Sequence, residues 1–303
     1  MVSAVIYGSL FALMSLGLTL TYLTTKVPNF SHGAFVTVGA YTCFSLLRIY
    51  HIGPYMSLPF SFVIGGAVAV TMYLAVLRPL SRRGASIISL MIATLAADII
   101  SIGIFGIYTD YLTSAFRIPD AKLFFALNSS DFTLFGIDGV VYVAPIALAA
   151  ITLGLYLVLT RTSFGIAMRA TVENPNLARI IGVNTEVVYV ISWFAAGGLA
   201  AVAGNFYVLW QPGEPDIGSQ LLIAMFAGSI LGGLKNIYGA VAGGLMVGAG
   251  EILITTFGAQ YLGSWVDAYE SGIPLLIMVV TLLVFPGGIT SVNLKSLFSR
   301  RGD

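Results

Sequence analysis

The chain has 303 residues, 58% of them hydrophobic and only 9% charged, with a formal net charge of +1. A soluble domain carries roughly 25% charged residues, so this sequence cannot dress a water-facing surface and lipid must be its solvent. The near-neutral balance speaks against a nucleic-acid partner, and the one cysteine, Cys43, excludes a disulfide framework.

A bilayer core of about 30 Å needs about 20 apolar helical residues. On that measure an all-α polytopic membrane protein is predicted, with spans at Val2–Thr24, Phe30–Leu47, Tyr55–Leu77, Ile87–Tyr108, Val140–Thr160, Val187–Leu209, Leu221–Leu234, Tyr238–Phe257 and Ile273–Pro286. The first has no basic leader and reads as a full span rather than a cleaved signal.

The second is ambiguous. Pro28, Asn29, Ser31, His32 and Gly33 stand where a helix interrupted inside the membrane would free its backbone. If the segment crosses fully there are nine spans and Met1 lies outside; if Pro28 breaks it into a re-entrant half-helix there are eight and Met1 lies inside. Irregular backbone at membrane depth survives only inside protein or along a wet cavity. Asn29, Ser31, His32 and Gly33 are therefore translocation-pathway candidates, set against a plainly structural histidine. Asp98 sits in the middle of the fourth span without a basic partner, where Ser or Thr hydroxyls or a transport role would account for it equally well.

Basic loops stay in the cytosol, which places Arg78, Arg82 and Arg83, then Arg161, Arg169 and Arg179, then Lys295, Arg300 and Arg301 on that side. The acidic stretches Thr109–Gly139 and Gly258–Gly272, the second with Asp267 and Glu270, then face outward.

The connector between the fifth and sixth spans, residues 161–186, is the most polar stretch in mid-chain. Asn174 suits a helix N-cap, Pro175 the first helical position and Gly182 the left-handed residue past the end. The helix so framed, Asn176 to Ile181, is too short to stand alone in water. It must pack on its own membrane domain or dock a soluble subunit.

Further on, Gly239/Gly243 and Gly244/Gly248 give small-x-x-x-small spacing for tight crossing, within the chain or against a second subunit, and Glu251 follows on the same helix. Trp210 and Trp265 fall at outer span ends, where interfacial indoles are favoured. Gly232-Gly233-Leu234-Lys235 lacks the spacing and hydroxyl of a phosphate loop, so ATP hydrolysis is not expected in this chain.

The segments "VPNFSHGAFVTVGAY" (Val27–Tyr41), "RPLSRRGASIISLMIATLA" (Arg78–Ala97), "TSFGIAMRATVENPNLARIIGVNT" (Thr162–Thr185), "GGLAAVAG" (Gly197–Gly204), "GSILGGLKNIYGAVAGGLMVGAGEIL" (Gly228–Leu253) and "FPGGI" (Phe285–Ile289) follow one another along nearly the whole chain. In that order the sequence resembles the permease subunits of branched-chain amino acid ABC importers, and of the two related permeases the shorter, H-type one. The resemblance implies a single transmembrane permease domain over residues 1–303 with the ABC importer permease fold, in the inner (plasma) membrane. It implies a coupling helix in the connector that contacts an ATPase through Thr162, Gly165, Arg169, Ala170, Glu173, Asn174, Ala178 and Gly182. It also implies a second homologous permease, two ATPase subunits that bind ATP and magnesium, and a solute-binding protein. No catalytic residue, metal or cofactor is assigned to this chain. The implied cargo is a branched-chain or similar hydrophobic amino acid; related permeases serve urea, short amides or aromatic acids. An ion-driven secondary transporter and a passive channel are the competing classes.

Overall fold

The computed structural model describes residues 2–291. Lys295, Arg300 and Arg301, the third predicted cytosolic cluster, lie outside the described residues, as does the Asp267 side chain. Among the described residues, seven helices are long and apolar enough to cross a membrane, and two further apolar helices are shorter.

Helix α1 (Val2–Thr25) is nearly enclosed by protein, with polar side chains such as Ser15 and Thr19 buried beside its leucines. After it the chain reverses at Lys26, whose φ is +57°, and turns back inward. Helix α2 (His32–Tyr50) then starts in the interior of the bundle, where the His32 ring lies against Met14 and Gly17 near the middle of α1. The interruption that Pro28 suggested is therefore present, as the non-helical segment 26–31.

Helix α3 (Leu58–Met72) runs through a π-helical turn, Tyr73–Leu77, into α4 (Arg78–Arg82) as one continuous rod. Pro79 supplies the cause, because it has no N–H to return to the preceding turn and its ring displaces that turn. Helix α5 (Ile87–Phe116) outruns its predicted end at Tyr108. Apolarity fails at Asp110, yet fully buried Leu112 anchors two more turns before Arg117, at φ +56°, ends the helix. Next comes a small hairpin, β1 (Thr133–Leu134) and β2 (Ile137–Asp138), turning through Phe135 and Gly136 at positive φ. The sequence hid it, because a Phe-Gly pair at a turn of this kind is not the usual Asn-Gly or Asp-Gly.

Helix α6 (Val140–Arg161) leads to two short helices, α7 (Ser163–Glu173) and α8 (Pro175–Ile180). Helices α9 (Thr185–Trp210), α10 (Ile217–Gly232), α11 (Ile237–Leu262) and α12 (Gly272–Val284) complete the described bundle.

Two ends of the bundle are defined by contacts. Thr24 and Thr25 of α1, Arg78 and Arg82 of α4, Arg179 of α8 and Glu186 of α9 border one cavity of about 480 Å³, which marks the connector end. Lys26 belongs there too; partial burial and then the charge of Lys235 lower its pKa. At the far end Gln211 donates to the Tyr7 hydroxyl at 2.7 Å, and Phe124 pairs with Gly213 through their backbones. Followed from end to end, the nine apolar segments alternate in direction, so the amino terminus lies opposite the connector.

Close packing rests on bare backbone. Helices α2 and α9 cross where Gly39 faces Ala201 and Gly204 faces Val36; a Cβ on Gly39 would stand 1.8 Å from the Ala201 carbonyl oxygen. In lipid, where no hydrophobic force drives helices together, such approach and the dispersion it brings hold the bundle. Asn205 strengthens the same region by donating to Ser57 and Ser61 hydroxyls at 2.6 and 2.8 Å.

Candidate functional site

At the connector end, Thr162 caps α7 by accepting from the Gly165 amide at 3.3 Å. Phe164, Ala167, Met168 and Val172 follow at helical spacing and pack into a core cluster with Leu16, Leu20 and Leu23 of α1. Gly165 lies so close to α6 that a Cβ would stand 2.0 Å from the Leu159 carbonyl oxygen. The Arg169 guanidinium donates to that same carbonyl. Thus α7 is clamped onto the end of α6.

Asn174 then breaks the helix with extended backbone and restarts it. Its Oδ1 accepts from the Asn176 and Leu177 amides, both at 3.1 Å. Gly182, at φ +90°, sits just past the end of α8, so the local frame read from Asn174, Pro175 and Gly182 is the one that forms.

One hydrogen bond ties α8 to α9, and an ion-pair cluster beside it ties α9 to α4. Arg179 Nε donates to Thr185 Oγ1 at 2.9 Å, reaching the first residue of α9. The neighbouring Glu186 pairs with Arg78 at 2.6 Å and Arg82 at 3.4 Å, reaching α4. A displacement of α8 therefore bears directly on the start of α9 and, through Glu186 of α9, on the end of the α3–α4 rod.

The eight coupling candidates divide by orientation. Thr162, Glu173, Asn174 and Gly182 are exposed, Ala170 is half-buried, and Arg169 is exposed while bonded to Leu159. Gly165 and Ala178 are buried against their own chain, where close approach to α6 and the closing of α8 need small residues. Sequence reasoning passed over α7 and three aliphatic side chains, Leu177, Ile180 and Ile181, which stand 55%, 81% and 68% exposed. Their i, i+3, i+4 spacing was the available signal; attention to charge obscured it.

Inside the bundle, the pathway candidates form a sealed polar knot. Asn29 Oδ1 accepts from both the amide and the hydroxyl of Ser31, at 3.2 and 2.8 Å. His32 Nε2 lies 3.1 Å from the Met14 carbonyl oxygen, and Thr94 Oγ1 accepts from the Phe30 amide at 3.1 Å. Asn29, Ser31 and His32 are all buried. Gly33 meets Gly218 at the start of α10, backbone to backbone, and the Gly218 amide donates to Thr37 at 3.1 Å. Asp98 closes this level by accepting from Ser219 at 2.7 Å. Two interior helix starts are thereby joined, a pairing that needed Thr94, Gly218 and Ser219, none of which stood out in the sequence. The open cavity between α2, α3 and α5, about 500 Å³, begins one residue on, at Ala34.

The glycines of α11 meet partners inside the chain. Gly239 and Gly243 face Gly232 and Gly228 of α10, and Gly244 and Gly248 face Ala12 and Tyr7 of α1. Within this chain the stripe thus packs on α10 and α1. Glu251 lies buried farther along α11.

The family described as branched-chain amino acid transport system / permease component matches residues 1–282. The chain belongs to this permease family. A probable branched-chain amino acid transport permease protein LivH of Methanocaldococcus jannaschii is 45% identical over 97% of this chain and 92% of its own length. The high-affinity permease proteins BraD of Pseudomonas aeruginosa and LivH of Escherichia coli are 25% and 27% identical, each over 95% of this chain and 94% of their own. The solved PsaBC complex of Streptococcus pneumoniae shares the fold, with a TM-score of 0.51 at 11% identity over 94% of this chain and 91% of the other. A LivH-type membrane permease is thus a multi-pass, non-enzymatic transport component, consistent with its bundle of apolar helices.

Proposed function

We propose that this permease is the H-type half of an ATP-driven importer in the inner (plasma) membrane that carries branched-chain or similar hydrophobic amino acids. The connector end faces the cytosol, in keeping with Arg78, Arg82, Arg161, Arg169 and Arg179 there. A second, homologous permease completes the translocation unit, two ATPase subunits bind ATP and magnesium beneath it, and a solute-binding protein delivers the cargo to the far end. The substrate class rests on this chain's similarity to branched-chain amino acid transport permeases.

The observation that carries the coupling role is the construction of α8. It is a helix of six residues, too short to persist alone. It is nevertheless capped, fastened through Arg179 to the start of α9, which Glu186 in turn joins to α4, and crowned by exposed Leu177, Ile180 and Ile181. Exposed aliphatics on a braced helix suit a groove on a soluble motor. ATP binding closes the ATPase pair, α8 is displaced, and the bundle exchanges outward and inward openings.

Uptake of labelled leucine into vesicles carrying the assembled transporter provides the test. Ile180→Asp with Ile181→Asp is expected to reduce ATP-dependent uptake at least tenfold while the permease remains in the membrane and the ATPase no longer co-purifies. Unaltered uptake would make α8 an interfacial strut, and uptake of urea or an aromatic acid in place of leucine would overturn the substrate class.

A further inference from the structure

In the half of the bundle toward the far end, α1, α9, α10, α11 and the start of α12 enclose a cavity of about 200 Å³. Glu251 lines it from α11. That side chain belongs to a residue only 6% exposed, and its Oε2 has no hydrogen-bond partner among the described residues. Glu270 borders the same space, and among the described residues lining it there is no Lys, Arg or His. A carboxylate sequestered among membrane helices calls for a compensating cation or donor, and the described side chains bordering Glu251 supply no cation.

The remaining walls define which cation. Tyr7 and Tyr207 meet edge to face with centroids 6.4 Å apart and present aromatic surface. Gln211 donates its Nε2 proton to the Tyr7 hydroxyl, which leaves its amide oxygen as an acceptor. Phe11, packed edge to face on Tyr7, with Leu221 and Pro274 adds hydrocarbon to a lining that also holds Gln220 and Ser271. Carboxylate and amide oxygens beside π faces hold an ammonium group well, and the apolar wall suits a short aliphatic tail. A metal ion finds less here, since the described residues hold no cluster of three His, Cys, Asp or Glu side chains.

We propose that this cavity binds the primary ammonium group of a small aliphatic ligand, with Glu251 as its counter-ion. The proposal deepens the functional reading above, and rests on it only in identifying that ligand with the amino acid carried.

The test uses the purified full chain in lipid nanodiscs, without ATPase or nucleotide. The probes are isopentylamine, which is leucine without its carboxylate, and 4-methylpentanoate, which is leucine without its amine. Calorimetry is expected to show saturable binding of the amine and none of the acid. Glu251→Gln should weaken amine binding at least tenfold with an unchanged melting transition. Equal binding by wild type and Glu251→Gln, equal binding of the two probes, or no saturable binding of the amine would each overturn the proposal. Amine binding of the expected kind, in a chain whose assembled transporter takes up no branched-chain amino acid, would leave this site standing and remove only the transport assignment.

Discussion

Asn174 shows how far one side chain can be read locally. Its amide oxygen serves two backbone donors of α8, and the residues that follow it, Pro175 and Gly182, belong to the same frame. Capping depends on chemistry within a few positions, so this element was legible in the sequence. Gly165 and Arg169 were not, because both answer to the Leu159 carbonyl at the end of another helix. Loss of an N-cap typically destabilises a helix by about 1 kcal/mol. Asn174→Ala is therefore expected to speed hydrogen exchange at the Asn176 and Leu177 amides several-fold, with Asn174→Asp close to wild type. Exchange unchanged in the alanine variant would show that tertiary contacts alone hold α8.

At the scale of elements, apolar length found every long helix, and their departures have local causes. The Pro79 ring lengthens α3 through a π turn into α4, and Leu112 carries α5 past its apolar limit. The break at residues 26–31 was visible in Pro28 and its polar neighbours, whereas its pairing with the start of α10 depends on Gly33 meeting Gly218, far apart in sequence. The joint between connector and bundle also hides from sequence, since Glu186 meets Arg78 and Arg82 only once α4 and α9 lie side by side. These pairs are partly exposed, and pairs of that kind contribute only about 0–1 kcal/mol to stability. Their value lies in transmission. Glu186→Arg is expected to leave the melting temperature of the purified chain nearly unchanged yet lower the amount of substrate moved per ATP hydrolysed, and the swap Arg78→Glu with Glu186→Arg should restore much of that ratio. A large fall in melting temperature with normal coupling would make the joint structural.

For the whole molecule, alternating direction through nine apolar segments puts the amino terminus and the connector at opposite ends. Charge counting left the choice between eight and nine segments open because it weighs loops and is blind to where a helix begins. Interior starts of α2 and α10, joined through Thr37, Gly218, Ser219 and Asp98, give the bundle a non-helical level deep in its core. A rigid rod, α3 with α4, and the long α9 run from that region toward the connector, so a push on α8 has a short route inward. Buried Cys43 lies away from this end and leaves the connector free for single-cysteine chemistry.

The most direct test of this account is therefore a cysteine placed at Ile180 in the assembled transporter, cross-linked to the ATPase subunits with and without ATP. The account predicts a cross-link to the ATPase whose yield depends on nucleotide, and no labelling of that cysteine by impermeant reagent from outside the cell. Labelling from outside, or cross-links only within the permease itself, would contradict it.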